Sequence, residues 1–204
     1  MKNDHTPVLM FCNTRFGYDL IKSKEKWFRY DLVWNKMRGV SFLSANKMPM
    51  KSHEMVYVFS KKGANYYRKD IEGEFKAWKN NETKRYGAVY GDLTTMVRTT
   101  HGEGSEGKRC ALSIIDIKGK AIKGQHPTEK PIDLYKWLIE RYSKEGDMVL
   151  DPTFGSGNSG RASAELKRRY TGIEMNEKFF NSYNNETRIP AAIDKTGEED
   201  DGGV

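Results

Sequence analysis

Cysteine, histidine and proline are all scarce in this chain of 204 residues, and each scarcity removes a class of protein. Its two cysteines, Cys12 and Cys110, form no CxxC pair, and the four histidines do not gather around them. Neither a disulfide framework nor a zinc site is expected, and no metal is assigned. That usage suits a reducing compartment, so a cytoplasmic, intracellular location is the expectation. No run approaches the ~20 apolar residues of a membrane helix, and Val8 to Cys12 is too short for a signal-peptide core. A soluble protein without a membrane partner is expected. The six prolines, Pro7, Pro49, Pro127, Pro131, Pro152 and Pro190, include no adjacent pair. No Lys-Ser or Lys-Thr follows the chain's glycine-rich loop, which excludes a phosphate-binding P-loop.

What remains is a charged chain with a modest core. Charged residues make up 31% and hydrophobic ones 37%, and the net charge is +7. This length suffices for a single core, and the basic balance favours a polyanionic partner. Periodicity predicts strands at Pro7 to Asn13, Tyr30 to Asn35 and Met55 to Ser60, with a helix from Arg15 to Phe28. The connection Lys36 to Lys51 is long, basic and apolar at Met37, Phe42, Leu43 and Met48, which is unusual for a mere link. A helix is expected over Pro131 to Tyr142, with Leu134, Trp137, Leu138 and Tyr142 on a core-facing stripe. Further helices are expected over Ser159 to Lys167 and Asn176 to Asn184.

The most informative stretch runs from Met148 to Glu174. An apolar strand, Met148 to Leu150, closes in Asp151-Pro152, then Gly155-Ser156-Gly157-Asn158-Ser159-Gly160 opens a helix, and a second strand ends at Glu174. Glycines at a strand's carboxyl end let backbone approach a ligand, the helix start offers N–H groups, and an acid about 20 residues on suits ribose hydroxyls. The ligand should contain a nucleoside. The glycines alone would also fit a plain tight turn. A dinucleotide fold would need a second mononucleotide-binding half, and only 30 residues follow Glu174.

With His126-Pro127-Thr128-Glu129-Lys130-Pro131 upstream and Gly172-Ile173-Glu174 downstream, the segment resembles the DNA amino-methyltransferases whose S-adenosylmethionine motif is C-terminal. Asp31 to Lys36, a loop containing Gly39, and Lys51-Ser52-His53-Glu54 before an apolar run resemble that family's strand, loop and strand after its catalytic motif. The resemblance implies an α/β, Rossmann-like methyltransferase fold, a three-layer αβα arrangement with a mixed sheet. It implies S-adenosylmethionine as cofactor, double-stranded DNA as partner, and methyl transfer to an exocyclic amine of adenine or cytosine, as in restriction-modification. Cofactor contacts are expected from Thr128, Lys130, Asp151, Thr153, Phe154, Gly155, Ser156, Gly157, Asn158, Glu174 and Met175. Thr128 has a helix-capping role as its alternative, and Asn158 stands where the family commonly has threonine. His53 and Glu54, adjacent in a strand, point to opposite faces and are given no catalytic role.

The family's catalytic motif, an acid or amide followed by Pro-Pro and an aromatic, is absent from this sequence, so no catalytic residue is assigned. The fold is therefore expected to lack the usual N-terminal strands that carry the motif. Either the strands ending at Asp151 and Cys12 close up against each other, or a gap remains for a second chain supplying the motif. A catalytically inactive remnant that binds cofactor or DNA is the alternative function. Residues 1–189 are read as one methyltransferase domain with a target-recognition insertion over 61–123, where Tyr66, Tyr67, Trp78, Tyr86 and Tyr90 mix with cations; residues 190–204 are read as an acidic, disordered tail.

Overall fold

The computed structural model describes residues 3–72, 108–119 and 129–187. Four strands build the larger sheet: β1 (Val8–Cys12), β2 (Phe28–Val40), β3 (Lys51–Phe59) and β6 (Ile114–Asp116), in the order β1-β3-β2-β6. β3 runs antiparallel to both β1 and β2, whereas β6 lies parallel to β2, so the sheet is mixed. A short ladder joins β4 (Ile71–Glu72) to β5 (Lys108–Arg109), and β7 (Met148–Asp151) pairs in parallel with β8 (Arg169–Gly172). Four helices complete the described chain: α1 (Thr14–Ser23), α2 (Ile132–Tyr142), α3 (Asn158–Glu165) and α4 (Glu177–Thr187).

Alternation along the strands decides which helix covers which face. Val56 and Val58 of β3 turn toward α2, where they meet Leu32, Trp34, Ile115, Leu134, Leu138 and Tyr142. Tyr57 and Phe59 turn the other way, to a second cluster with Cys12, Leu20 and Ile21 on the α1 side. The sheet is thus sandwiched between α1 and the α2 side, which carries α3 as well. Gly17 makes the α1 contact close: a Cβ there would lie 2.6 Å from the Tyr57 ring. Asn13 caps α1 by accepting from the Phe16 N–H at 2.9 Å, and Pro131 stands at the N-cap of α2, where its missing N–H costs nothing.

The expected α/β architecture is present, with shifted boundaries. The helix expected through Phe28 stops at Ser23 and tightens into a 3-10 turn over Glu25–Trp27, because Phe28 joins β2 and packs edge-on to Tyr57 and Phe59 at 5.3 and 5.5 Å. β2 continues five residues past the expected end at Asn35, to Val40, with a register shift after Asn35. β8 ends at Gly172, so Glu174 lies just beyond the strand instead of closing it.

Of the two arrangements expected for the sheet, closure of β1 against β7 is not what forms. β1 is bonded only to β3 and β7 only to β8, and among the described residues no strand lies against their other edges. What joins the two parts is helical packing. α2 lies on the larger sheet and against α3, which packs on β8. Its Tyr135 meets the Phe11 ring of β1 edge-on at 6.0 Å, and burial, with the nearby Asp151 carboxylate of β7 second, pushes its phenol well above the ordinary range. The aromatics Trp78, Tyr86 and Tyr90 and the tail from Pro190 lie outside the described residues.

Leu134, fully buried where α2 meets the larger sheet, carries this junction. Leu134→Ala should destabilise the chain by about 2–5 kcal/mol, read as a lower urea midpoint. An unchanged midpoint would mean that α2 is not the shared support.

Candidate nucleoside site

At the carboxyl end of β7, Asp151 organises the turn that follows. Its Oδ1 accepts from the Thr153 N–H at 3.0 Å and its Oδ2 from the Ser159 hydroxyl at 2.6 Å, tying the strand end to the first turn of α3. Phe154 turns inward, 4% exposed, with Tyr183 and Phe180 of α4 at 5.0 and 6.3 Å. Gly155 and Gly157 both adopt left-handed backbone, with φ of 54° and 77°, a region costly to residues bearing a Cβ. Gly157 is also the N-cap of α3, and a Cβ on it or on Gly160 would overlap the Tyr183 ring.

Glu174 reaches back to this loop. Its Oε2 accepts from the Gly155 N–H at 2.9 Å and its Oε1 from the Asn176 N–H at 2.8 Å. These bonds hold the acid in place against the glycine turn, and a carboxylate is an acceptor suited to hydroxyl groups. On either side of it, Ile173 is 56% and Met175 99% exposed, an apolar border beside an acid. That donor and acceptor set fits a nucleoside: a carboxylate for vicinal hydroxyls, a side chain for a flat base, and a glycine turn for the remainder.

A second group of bonds locks the segment before α2 onto the loop. The buried Asn158 donates from Nδ2 to Glu129 Oε1 at 2.7 Å and to the Lys130 carbonyl at 2.8 Å. Arg161 bonds the Ser156 carbonyl at 2.8 Å and Asn158 Oδ1 at 2.9 Å. Lys130 then extends to the larger sheet, its Nζ 3.1 Å from Glu54 Oε1 and 4.9 Å from the centre of the Phe11 ring. The other oxygen of Glu54 holds Lys36 of β2 at 3.0 Å. Burial alone would raise the Glu54 carboxyl, but the charge of Lys130 and the bond from Lys36 outweigh it and hold the group below the usual range.

The structure thus brings together Lys130, Asp151, Thr153, Phe154, Gly155, Ser156, Gly157, Asn158, Glu174 and Met175, and Thr128 lies outside the described residues. Their parts differ. Asp151 and Asn158 bond to protein, Phe154 packs beneath the loop, and Thr153 and Met175 are exposed. Sequence reasoning missed Glu129, Ser159, Arg161 and Tyr183, whose roles depend on contacts across elements. It also gave Glu54 nothing. His53 and Glu54 do point apart, His53 exposed and Glu54 half-buried, and the inward carboxylate clasps two lysines.

An α/β unit with a glycine turn after one parallel strand and an acid just past the next is suited to a nucleoside ligand. Comparison narrows it: the family model described as DNA methylase matches residues 3–185, and the chain belongs to that family. It is 29% identical over 154 residues to the type II methyltransferase M.XycI of Xanthomonas campestris pv. cyanopsidis, covering 75% of this chain and 42% of that protein. It is 28% identical over 157 residues to M.Cfr9I of Citrobacter freundii, covering 76% of this chain and 43% of that one. The chain therefore spans less than half the length of these relatives. Among solved structures, M1.HpyAVI in complex with SAM shares the fold at a TM-score of 0.56 and 22% identity, over 90% of this chain and 74% of that one. The cytosine-N4-specific PvuII DNA methyltransferase does so at 0.62 and 12%, over 93% and 66%.

The Glu54 clasp predicts a pH signature. Its folded pKa is depressed, so the stability it contributes is fully present above the unfolded value of 4.5 and is lost as pH falls through the folded one. Glu54→Gln should melt lower than wild type at neutral pH, by roughly 1–2 kcal/mol, and that difference should vanish in acid. A difference independent of pH would contradict the ion-pair assignment.

Proposed function

We propose that this chain is the cofactor-binding and DNA-facing part of an S-adenosylmethionine-dependent DNA methyltransferase that modifies an exocyclic amine of adenine or cytosine. The Glu174 carboxylate, held on the Gly155 N–H at 2.9 Å beside an exposed Met175, is the observation that carries this reading. Family membership and the fold shared with the methyltransferase structures support it. When bound, S-adenosylmethionine supplies a methyl group on a sulfonium centre, open to attack by an amine.

Within that reading, Glu174 takes the ribose hydroxyls, Met175 borders the adenine, and the Gly155-Ser156-Gly157 turn follows the rest of the cofactor. Asp151 acts through the turn and Ser159, fixing the loop without needing to touch the cofactor. Thr128 and Lys130 flank the methionine portion, with Lys130 held in place by Asn158 and Glu54. The insertion over 61–123 serves target recognition.

Holding the acceptor amine requires groups that these residues do not include, since no Pro-Pro pair exists in the sequence. The edges of β1 and β7 that pair with no strand among the described residues supply a place for them. An extended segment carrying an acid or amide, Pro-Pro and an aromatic ring fits between these strands and satisfies backbone groups that an unpaired edge leaves free. Such a segment, in the same polypeptide or in a second chain, would bring the amine to the methyl donor. Proximity and orientation then carry most of the rate.

Calorimetry with S-adenosylmethionine and transfer of labelled methyl to duplex DNA test the two halves separately. These residues alone should bind the cofactor without transferring methyl, and transfer should appear when a polypeptide carrying the Pro-Pro-aromatic strand is added. Glu174→Ala should weaken cofactor binding by roughly 1–3 kcal/mol. Absence of cofactor binding, or equal affinity in the variant, would overturn the site assignment.

A further inference from the structure

Beyond the Glu54 cluster, the arm formed by β2 and β3 holds none of the residues assigned to the cofactor, yet it is built as a rigid projection. β1 ends with Cys12 opposite Met55, whereas β2 and β3 continue past that level to the pair Val40 and Lys51. The Trp34 indole N–H donates to the Ile117 carbonyl at 2.8 Å and Asn35 donates to Asp116 at 2.8 Å, so β6 splints the arm's root. The tip is also hydrogen-bonded. Ser41, at φ 71°, turns the chain into a 3-10 turn over Phe42–Ser44, and the N–H groups of Ser44, Ala45, Lys47 and Met48 bond back at 2.9 to 3.0 Å.

What the tip holds out is apolar. Phe42 is 79% and Leu43 98% exposed, with Met37, Met48 and Met50 about half exposed below them. Arg38, Lys47 and Lys51 flank them in sequence, and residues 36–51 contain no acid. Apolar side chains held this far into water on a stiff support mark an interaction surface, and the unbroken positive charge selects a polyanion. The arm's root fixes where that polyanion lies. Lys36 is bound to Glu54, Glu54 to Lys130, and the Lys130 carbonyl to Asn158 at the start of α3, so the root of the arm is linked to the helix that follows the glycine loop.

We propose that this tip is a wedge for duplex DNA: Phe42 and Leu43 enter between stacked base pairs while Arg38, Lys47 and Lys51 hold the flanking phosphates. The inference rests on the DNA methyltransferase reading and adds the means by which the duplex is opened at the cofactor. Enzymes acting on a base must take it out of the stack, and inserted apolar side chains offset the unstacking that this requires. The lysines and arginine position the duplex without reading its sequence.

Two labelled duplexes of one sequence, one fully paired and one with a central abasic site, decide the matter by fluorescence anisotropy. Wild type should prefer the abasic duplex, in which a gap in the stack already exists. Phe42→Ala with Leu43→Ala should bind the paired duplex about tenfold more weakly and lose the preference. Because both side chains are exposed, this variant should keep the wild-type melting temperature and S-adenosylmethionine affinity. Lys47→Ala with Lys51→Ala should weaken both duplexes equally and flatten the salt dependence of binding. Unchanged DNA binding in the Phe42 and Leu43 variant, or a preference that persists in it, overturns the wedge and leaves the methyltransferase reading standing. Wild type that binds neither duplex overturns the wedge and the DNA part of that reading together. Self-association, or binding to anionic vesicles, abolished by the same variant while DNA binding is unaffected would assign the tip to a second copy or to a membrane, and overturns the wedge as well.

Discussion

Helix α2 packs on the larger sheet and on α3, and so joins two sheets that, among the described residues, exchange no backbone hydrogen bonds. The rest of the described structure depends on that constraint. Leu134 and Leu138 close the core over Val56 and Val58, while the same helix packs along α3. Burial of this kind is strong but has no direction, and it cannot by itself fix how far apart two sheets stand. Polar contacts supply the direction. Asn158 fixes the start of the α2 segment to the glycine loop, and Lys130 joins that segment to Glu54 on β3.

Glu54 is shared between two lysines with side chains less than a fifth exposed, an arrangement in which one carboxylate serves two elements. Partial burial makes such a cluster sensitive to loss of any member, since the remaining charges are left without compensation. The cofactor side of the fold and the arm of β2 and β3 are therefore coupled electrostatically. A change at Lys36 reaches Lys130 through a single side chain.

Much of the fold was legible because periodicity reports burial. The α2 stripe, the Asp151 turn and the Gly155 to Gly160 loop all stand where the spacing puts them. Failures occurred where burial does not govern. β2 beyond Asn35 carries Lys36, Met37 and Arg38 into water, so its alternation breaks although its pairing continues to Val40. At the start of β2, Phe28 looks helical by spacing and is drawn into a strand by the rings of Tyr57 and Phe59. In the site, Glu174 was legible from its distance to the loop, whereas the Glu54 and Lys130 pair was not. Residues far apart in sequence give no local signal of meeting. The bonds from the Asn158 amide to Glu129 and to the Lys130 carbonyl were equally illegible, because those partners lie 29 and 28 residues away.

Tyr183 alters what the glycines of the loop record. Its ring occupies the space that a Cβ on Gly157 or Gly160 would need, so these two positions are held to glycine by a helix of the protein itself. Gly155 differs, meeting the Glu174 carboxylate through its backbone N–H. If a lineage descending from this chain lost its nucleoside, selection for folding would go on maintaining Gly157, Gly160 and Tyr183 together. Drift would appear first at Glu174 and Met175. The familiar glycine pattern would then outlive the ligand, and the acid beyond β8 would be the better record of whether binding persists.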